Sequence, residues 1–174
     1  ILPDDMRVIP YRFCEGCSSL TQVTLPKDLE EIDRYAFAYS ALKSIEIPES
    51  VTVIGDNAFA NRTELTSLVV PAWVESIGAN AFQNCVALSV VNLPANVSKI
   101  PGVFAGCTSL TEVNVDPAPT YFTSEDGVVY DVNKTEIIFF PSGKSGEYAT
   151  PDTLTTINNG VFQNAKNLSS ITIS

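Results

Sequence analysis

The 174-residue chain contains no histidine, and that absence removes much of enzyme chemistry. A Ser-His-Asp or Cys-His nucleophile cannot be assembled from it, and a metal site would lack its most usual nitrogen ligand. Positive charge is also scarce. Ten Lys plus Arg face twenty Asp plus Glu, a formal charge of −10 with no basic run, so nucleic acid and anionic membrane are disfavoured as partners. Long apolar runs are missing. Stretches such as "VVY" and "IIFF" fall far short of the roughly 20 residues that cross a bilayer, so no membrane span is expected in this fragment. No glycine-rich phosphate loop appears either. The catalytic, cofactor and metal inventories are therefore expected to be empty, and the chain reads as a non-enzyme.

What is present is a repeat. Pro3, Pro26, Pro48, Pro71 and Pro94 stand 22 or 23 residues apart. Each is followed by an apolar residue (Met6, Leu29, Val51, Val74, Val97) and then an isoleucine (Ile9, Ile32, Ile54, Ile77, Ile100). A phenylalanine comes next: Phe13, Phe37, Phe59, Phe82, Phe104. The unit closes with L-x-x-[VIL]-x-[LIV], as in Leu88/Val91/Leu93 and Leu110/Val113/Val115, and a further copy runs from Pro151 through Ile157, Phe162 and Leu168 to Ile173. A period near 23 with L-x-x-L-x-L is the signature of a leucine-rich-repeat solenoid. The fold expected is a right-handed α/β-type coil, rich in β structure with short helical or 3-10 turns, its parallel strands on one face. The phenylalanines, Phe162 included, are expected to stack as an interior ladder.

The 45% hydrophobic content suits a single core. Residues 1–174 are expected to form one solenoid, with regular repeats over 1–116, a divergent repeat with a hairpin insert over 117–150, and a final regular repeat over 151–174. Beginning at "ILPDDM" without a charged and apolar leader and ending at "ITIS" inside a repeat, the chain reads as a fragment of a longer protein. Within the divergent segment, "VVYDVNKTEIIFF" predicts two strands around a polar "DVNK" turn. Thr135, Ile138 and Phe140 fall at L-x-x-L-x-L spacing before Pro141, and the ten residues from Pro141 to Pro151 suggest a shortened coil or a bulging loop. Asp33, Gly55, Gly78 and Asn158, each following an isoleucine, are types that tolerate a positive φ in a tight turn. Pro10 and Pro101 break that column and suggest a second, shorter turn.

The pattern P-x-x-[VL]-x-x-I-[GDN]-x-x-[AV]-F-x-x-C-x-x-L-x-x-[VIL]-x-[VIL]-P, seen in "AFQNCVALSVVNLP" and "VFAGCTSLTEVNVD", resembles the BspA-type leucine-rich repeats of bacterial surface proteins. The resemblance covers nearly the whole chain. It implies a secreted or cell-surface location and a role in interaction or adhesion, and it supplies no catalytic residue.

Cys85 and Cys107 share a column with Cys17, Ser40, Arg62 and Ala165. Serine and alanine serve the same place, so the cysteines read as small buried fillers rather than redox or metal groups. Arg62 is expected to point to solvent or to distort its coil. The pair Cys14 and Cys17 has C-x-x-C spacing but only a weak redox reading.

Solenoids bind along their strand face. Its outward residues here are Gln22, Thr24, Ser44, Glu46, Ser67, Val69, Val90, Asn92, Glu112, Asn114, Ser170 and Thr172. They are short and mostly polar, without the aromatic residues that dominate interfaces. Tyr121, Phe122 and Tyr130 in the insert, with Trp73 on a turn, are rival contact points. The function expected is a protein-protein interaction module on the cell surface or secreted, adhering to a host or matrix protein. The alternatives are a non-binding spacer in a larger surface protein and a carbohydrate-binding module.

Overall fold

The structure is a computed structural model that describes residues 2–100, 102–118 and 121–174. The chain winds through seven coils, and equivalent segments of successive coils lie side by side. The isoleucine columns form one sheet of very short parallel strands, β1 (Val8–Ile9), β2 (Glu31–Ile32), β3 (Val53–Ile54) and β5 (Ser76–Ile77), in register Ile9, Ile32, Ile54, Ile77. The L-x-x-L-x-L segments form another, β4 (Ser67–Val69), β6 (Val90–Leu93) and β7 (Glu112–Val115), also parallel. Alternation along these strands buries Leu68, Val91 and Val113 and turns their neighbours outward.

The third side of each coil is neither helix nor 3-10 helix among the described residues; it is a stack of turns. The N–H of Phe37 donates to Ala58 O at 2.8 Å, that of Phe59 to Ala81 O at 2.8 Å, and that of Phe82 to Val103 O at 3.0 Å. Two columns in these turns have positive φ. Arg12, Tyr35, Asn57, Asn80, Gly102 and Gly160 form the first; Gly16, Tyr39, Asn61, Asn84, Gly106 and Asn164 form the second.

The positive φ therefore does not fall at Asp33, Gly55, Gly78 or Asn158, where residue type suggested it. Gly55 and Gly78 answer to a different demand, close approach between coils. A Cβ on Gly78 would sit 2.3 Å from the Asp56 amide nitrogen, and one on Gly55 2.6 Å from that of Arg34. The shorter turn is real in the fifth coil, where Gly102 comes two places after Ile100 instead of three; Pro101 itself lies outside the described residues. The first coil differs for another reason. Its Cys14 N–H makes the bond to Ala36 O that Phe37 makes to Ala58 O, so Cys14 takes the phenylalanine position and Phe13 stands one residue out of register, 38% exposed.

The interior ladder holds from Phe37 to Phe104. Ring centroids are 5.7, 5.2 and 5.8 Å apart, and interplanar angles are 20° or less. Each buried ring contributes about 1.5–3 kcal/mol from its removed surface, with roughly 0.5–1.5 more per stacked pair.

The sixth coil interrupts the ladder. Strands β8 (Phe122–Glu125), β9 (Val128–Asp131) and β10 (Glu136–Phe139) form an antiparallel meander, so the hairpin predicted around "DVNK" is present. Asp131 closes its turn: the carboxylate accepts from Thr135 N–H at 2.6 Å, Glu136 N–H at 2.7 Å and the Thr135 hydroxyl at 2.9 Å. Strand β10 then pairs in parallel with β12 (Thr156–Ile157), matching Ile137 to Ile157. The 135–140 segment thus stands in the isoleucine column, within a separate sheet ordered β12-β10-β9-β8, and is not the L-x-x-L-x-L strand its spacing before Pro141 suggested. That role falls to β11 (Gly146–Ala149), which pairs with β13 (Leu168–Thr172) in register Tyr148 to Ile171.

The meander divides the interior. Val129 faces the main core while Val128 and Tyr130 face a second cluster with Ile137, Phe140 and Tyr148. Both faces of β9 are buried, which explains its unbroken apolar sequence. Phe104 meets Phe139 edge-on at 5.9 Å on one side, and Phe140 meets Phe162 at 4.9 Å on the other. Phe162 therefore ends a separate aromatic group and does not continue the stack.

Candidate functional site

The predicted strand face is brought together in three pieces. In the middle, register aligns Ser67, Val90 and Glu112 in one row and Val69, Asn92 and Asn114 in the next. Asn114 Nδ2 donates to Asn92 Oδ1 at 3.3 Å along the second row. Val69 is 65% exposed, a branched apolar side chain held out of the core by strand alternation. Toward the N-terminus, Gln22, Thr24, Ser44 and Glu46 are exposed but lie on coils whose L-x-x-L-x-L segments form no ladder; they line an open groove of about 460 Å³. Toward the C-terminus, Ser170 and Thr172 stand opposite Glu147 and Ala149 of β11.

Sequence spacing missed Glu147 and Ala149 as members of this face. The signal was there: Tyr148 and Thr150 precede Pro151 at the same spacing as Val91 and Leu93 precede Pro94, and both are buried. Pro141 offered a competing frame with more aliphatic residues, and only the Ile137–Ile157 pairing decides between them.

Of the insert residues, Tyr121 is exposed, Phe122 packs half-buried on the main core, and Tyr130 is only 3% exposed. Tyr130 thus belongs to the interior, with its hydroxyl 2.8 Å from that of Tyr148. Trp73, at the corner after β4, is 65% exposed.

The face breaks between β7 and β11 because the hairpin captures the outer edge of β7. Val113 N–H donates to Gly127 O at 3.0 Å, and Val115 N–H to the Ser124 hydroxyl at 2.9 Å. Gly127 fits there only as glycine: its φ is +75°, and a Cβ would lie 2.7 Å from Glu112 Cα. The result is a cleft of about 850 Å³ with Glu112, Glu125, Asp126, Glu147 and Asp152 on its walls and the Tyr130–Tyr148 pair at its base. On the turn side the same short coil leaves a second crevice of about 340 Å³, floored by Ile138 and Phe139 and rimmed by asparagines.

The cysteine column behaves as a packing column. Ser40 Oγ donates to Phe37 O at 2.7 Å, Cys85 Sγ to Phe59 O at 3.3 Å and Cys107 Sγ to Phe82 O at 3.1 Å. All four cysteines are free thiols. Burial and the neighbouring Cys17 push the Cys14 thiol up to about 11, opposite to the activated thiol of a redox pair. No cluster of three or more potential metal ligands occurs among the described residues. Arg62 does not reach solvent, and among the described residues its amide lacks the turn bond that the Ser40, Cys85 and Cys107 amides make to the carbonyls of Phe37, Phe82 and Phe104, a local departure of this coil. Arg62 is 0% exposed, its Nη2 bonds to Leu42 O, and its guanidinium lies 5.6 Å from the Phe59 ring centre. Nε and Nη1 have no partner.

The BspA type leucine rich repeat region matches this chain in six copies, over residues 1–111, 43–144 and 139–174. The chain belongs to the BspA-type leucine-rich repeat family. This BspA-type solenoid is similar to a leucine-rich repeat protein from Bacteroides ovatus at 27% identity and a TM-score of 0.70, covering 99% of this chain and 44% of that one. A Treponema pallidum (T. pallidum) leucine-rich repeat protein is 38% identical with a TM-score of 0.55, over 56% of this chain and 47% of its own. A leucine-rich cell surface protein from Faecalibacterium prausnitzii, 23% identical with a TM-score of 0.62 over 99% of this chain and 59% of its own, shares the fold. The chain spans about half the length of these solved relatives. No curated protein matches it by sequence.

Proposed function

We propose that this BspA-type solenoid is a non-catalytic protein-interaction module, displayed on the cell surface or secreted, that adheres to a host or matrix protein through its strand face. The observation that carries the reading is the central sheet. Three registered strands hold Ser67, Val69, Asn92, Glu112 and their row-mates in fixed outward positions, with Val69 and the nearby corner residue Trp73 each 65% exposed. A rigid surface with an exposed aromatic at its margin suits protein contact, because anchoring residues of this kind carry most interface energy. Family membership supports the extracellular setting.

The test is surface plasmon resonance of the chain over immobilised collagen, fibronectin and laminin. Saturable binding to at least one is expected, weakened about tenfold or more by Val69→Arg or Trp73→Ala, each worth over about 1.4 kcal/mol. Absence of binding to all three, with the chain folded, would favour a spacer; binding untouched by every strand-face substitution would move the contact elsewhere.

A further inference from the structure

The cleft between β7 and β11 combines three features that no packing requirement explains. The first is an open strand edge. In β11, Gly146 N–H donates to Asn167 O at 3.1 Å and Thr150 N–H to Thr172 O at 2.9 Å, so the even-numbered groups face β13. By the two-residue period of a strand, the N–H and C=O groups of Glu147 and Ala149 face the other way, into the cleft, where β7 would stand in a regular solenoid. No hydrogen bond to these two amides is formed across the cleft among the described residues.

The second feature is a hydroxyl proton without an acceptor. Tyr130 and Tyr148 share one hydrogen bond between their hydroxyls, and both side chains are more than nine-tenths buried at the base of the cleft. Burial pushes both phenols up, so both stay protonated. Two O–H groups with one bond between them leave one donor free. Because Tyr130 and Tyr148 line the open cleft, that proton is available to an acceptor entering from outside.

The third is charge. Five carboxylates line the walls against one ammonium, Lys144, whose Nζ is held by Asp126 O at 2.6 Å. Lys134 neutralises Glu125 at 2.9 Å. Glu112, Asp126, Glu147 and Asp152 have no cationic partner within salt-bridge distance among the described residues.

We propose that this cleft takes an extended peptide segment bearing lysine or arginine side chains, which adds as a strand along the open edge of β11. Its backbone would meet the Glu147 and Ala149 amides, a carbonyl or side-chain oxygen would accept the free tyrosine proton, and its cationic side chains would meet the walls. Strand addition of this kind derives affinity from main-chain hydrogen bonds and selectivity from alternate side chains. An isolated metal ion fits less well, since the carboxylates are spread along the walls and form no ligand cluster among the described residues. The proposal rests on the reading of the chain as a protein-binding module and assigns that module a second contact, separate from Val69 and Trp73.

The probe is a fluorescein-labelled decapeptide alternating lysine and threonine, followed by anisotropy. Controls are an alternating glutamate-threonine peptide and a lysine-threonine peptide N-methylated at every second amide, which keeps its charge but cannot pair as a strand. Expected are saturable binding of the first peptide, at least about tenfold weaker binding of the methylated one, and none of the acidic one. Ala149→Pro, which removes an N–H facing the cleft and leaves the β13 ladder intact, should weaken binding to a similar degree. Glu112→Gln with Glu147→Gln should lower both affinity and its salt dependence. No saturable binding, or equal binding of plain and methylated peptides, overturns the proposal; the peptide comparison decides the matter even if the proline variant does not fold. Val69→Arg should leave peptide binding unchanged, so failure here and failure of the matrix-binding reading are separate results.

Discussion

At position 62 the interior column that elsewhere holds Ser40, Cys85 and Cys107 takes a guanidinium. It lacks a carboxylate partner, and burial lowers its pKa to about 10, with the neighbouring Cys85 acting in the opposite direction. A base whose folded-state pKa lies below its unfolded value weakens the fold. The penalty is complete below about pH 10, where both states are charged, and it fades above that as the folded state sheds its proton first. Arg62→Met is therefore expected to raise unfolding free energy at pH 7 by roughly 1–2 kcal/mol. The gain over the parent should shrink between about pH 10 and 12.5. Urea melts of both proteins across that range check it; a loss of stability at pH 7 would show that the contacts with Leu42 and Phe59 outweigh desolvation. The column itself was legible in the sequence, because Cys, Ser and Ala recur there. The fate of Arg62 was not, since spacing says which column a residue occupies but not whether an anomalous side chain can find room beside Phe59.

At the scale of elements, periodicity gave the five regular coils because the same residue types fall at the same places and must stack. It misassigned the turn conformation, since asparagine, tyrosine and arginine all occupy the positive-φ columns and residue type alone does not mark them. It found the β9–β10 hairpin from an apolar-polar-apolar run, then placed β10 in the wrong sheet because two prolines offered equivalent frames. The hairpin depends on Asp131. Burial alone would raise its pKa, but bonds from the Glu136 and Thr135 amides and the Thr135 hydroxyl hold the carboxyl below its ordinary value. Such a group adds stability above its unfolded pKa, near 3.9, and that stability is lost as pH falls through the folded value. Asp131→Asn should lower the melting temperature at pH 7, with the gap to the parent closing below about pH 4. Circular dichroism melts at a series of pH values test this, and a gap independent of pH would mean the ionised form is not what holds the turn.

Across the whole molecule, the meander divides a solenoid that sequence reading treated as one continuous interior. Phe82 lies in the main core, whereas Tyr148, Phe140 and Phe162 lie beyond the wall. Two partly independent cooperative units are expected. Phe82→Ala should remove about 3–5 kcal/mol and move one calorimetric transition downward, leaving the second near its original temperature. A single transition that shifts as a unit would show that β9 couples the two cores. The strand face was legible as a set of outward positions, but its division was not, because the break arises where Gly127 docks against Glu112, a contact between segments that no repeat column marks.

The stacked turns have one more consequence. From the second coil to the fourth, each turn donates the same amides to its successor and offers the same carbonyls to the turn before it, through Phe37, Phe59 and Phe82. A copy of one unit spliced between two others would find compatible seams on both sides, so the molecule can grow or shrink by whole rungs without redesign. The sixth coil has no such seams: it is a bespoke joint, and duplicating it would leave two mismatched ends.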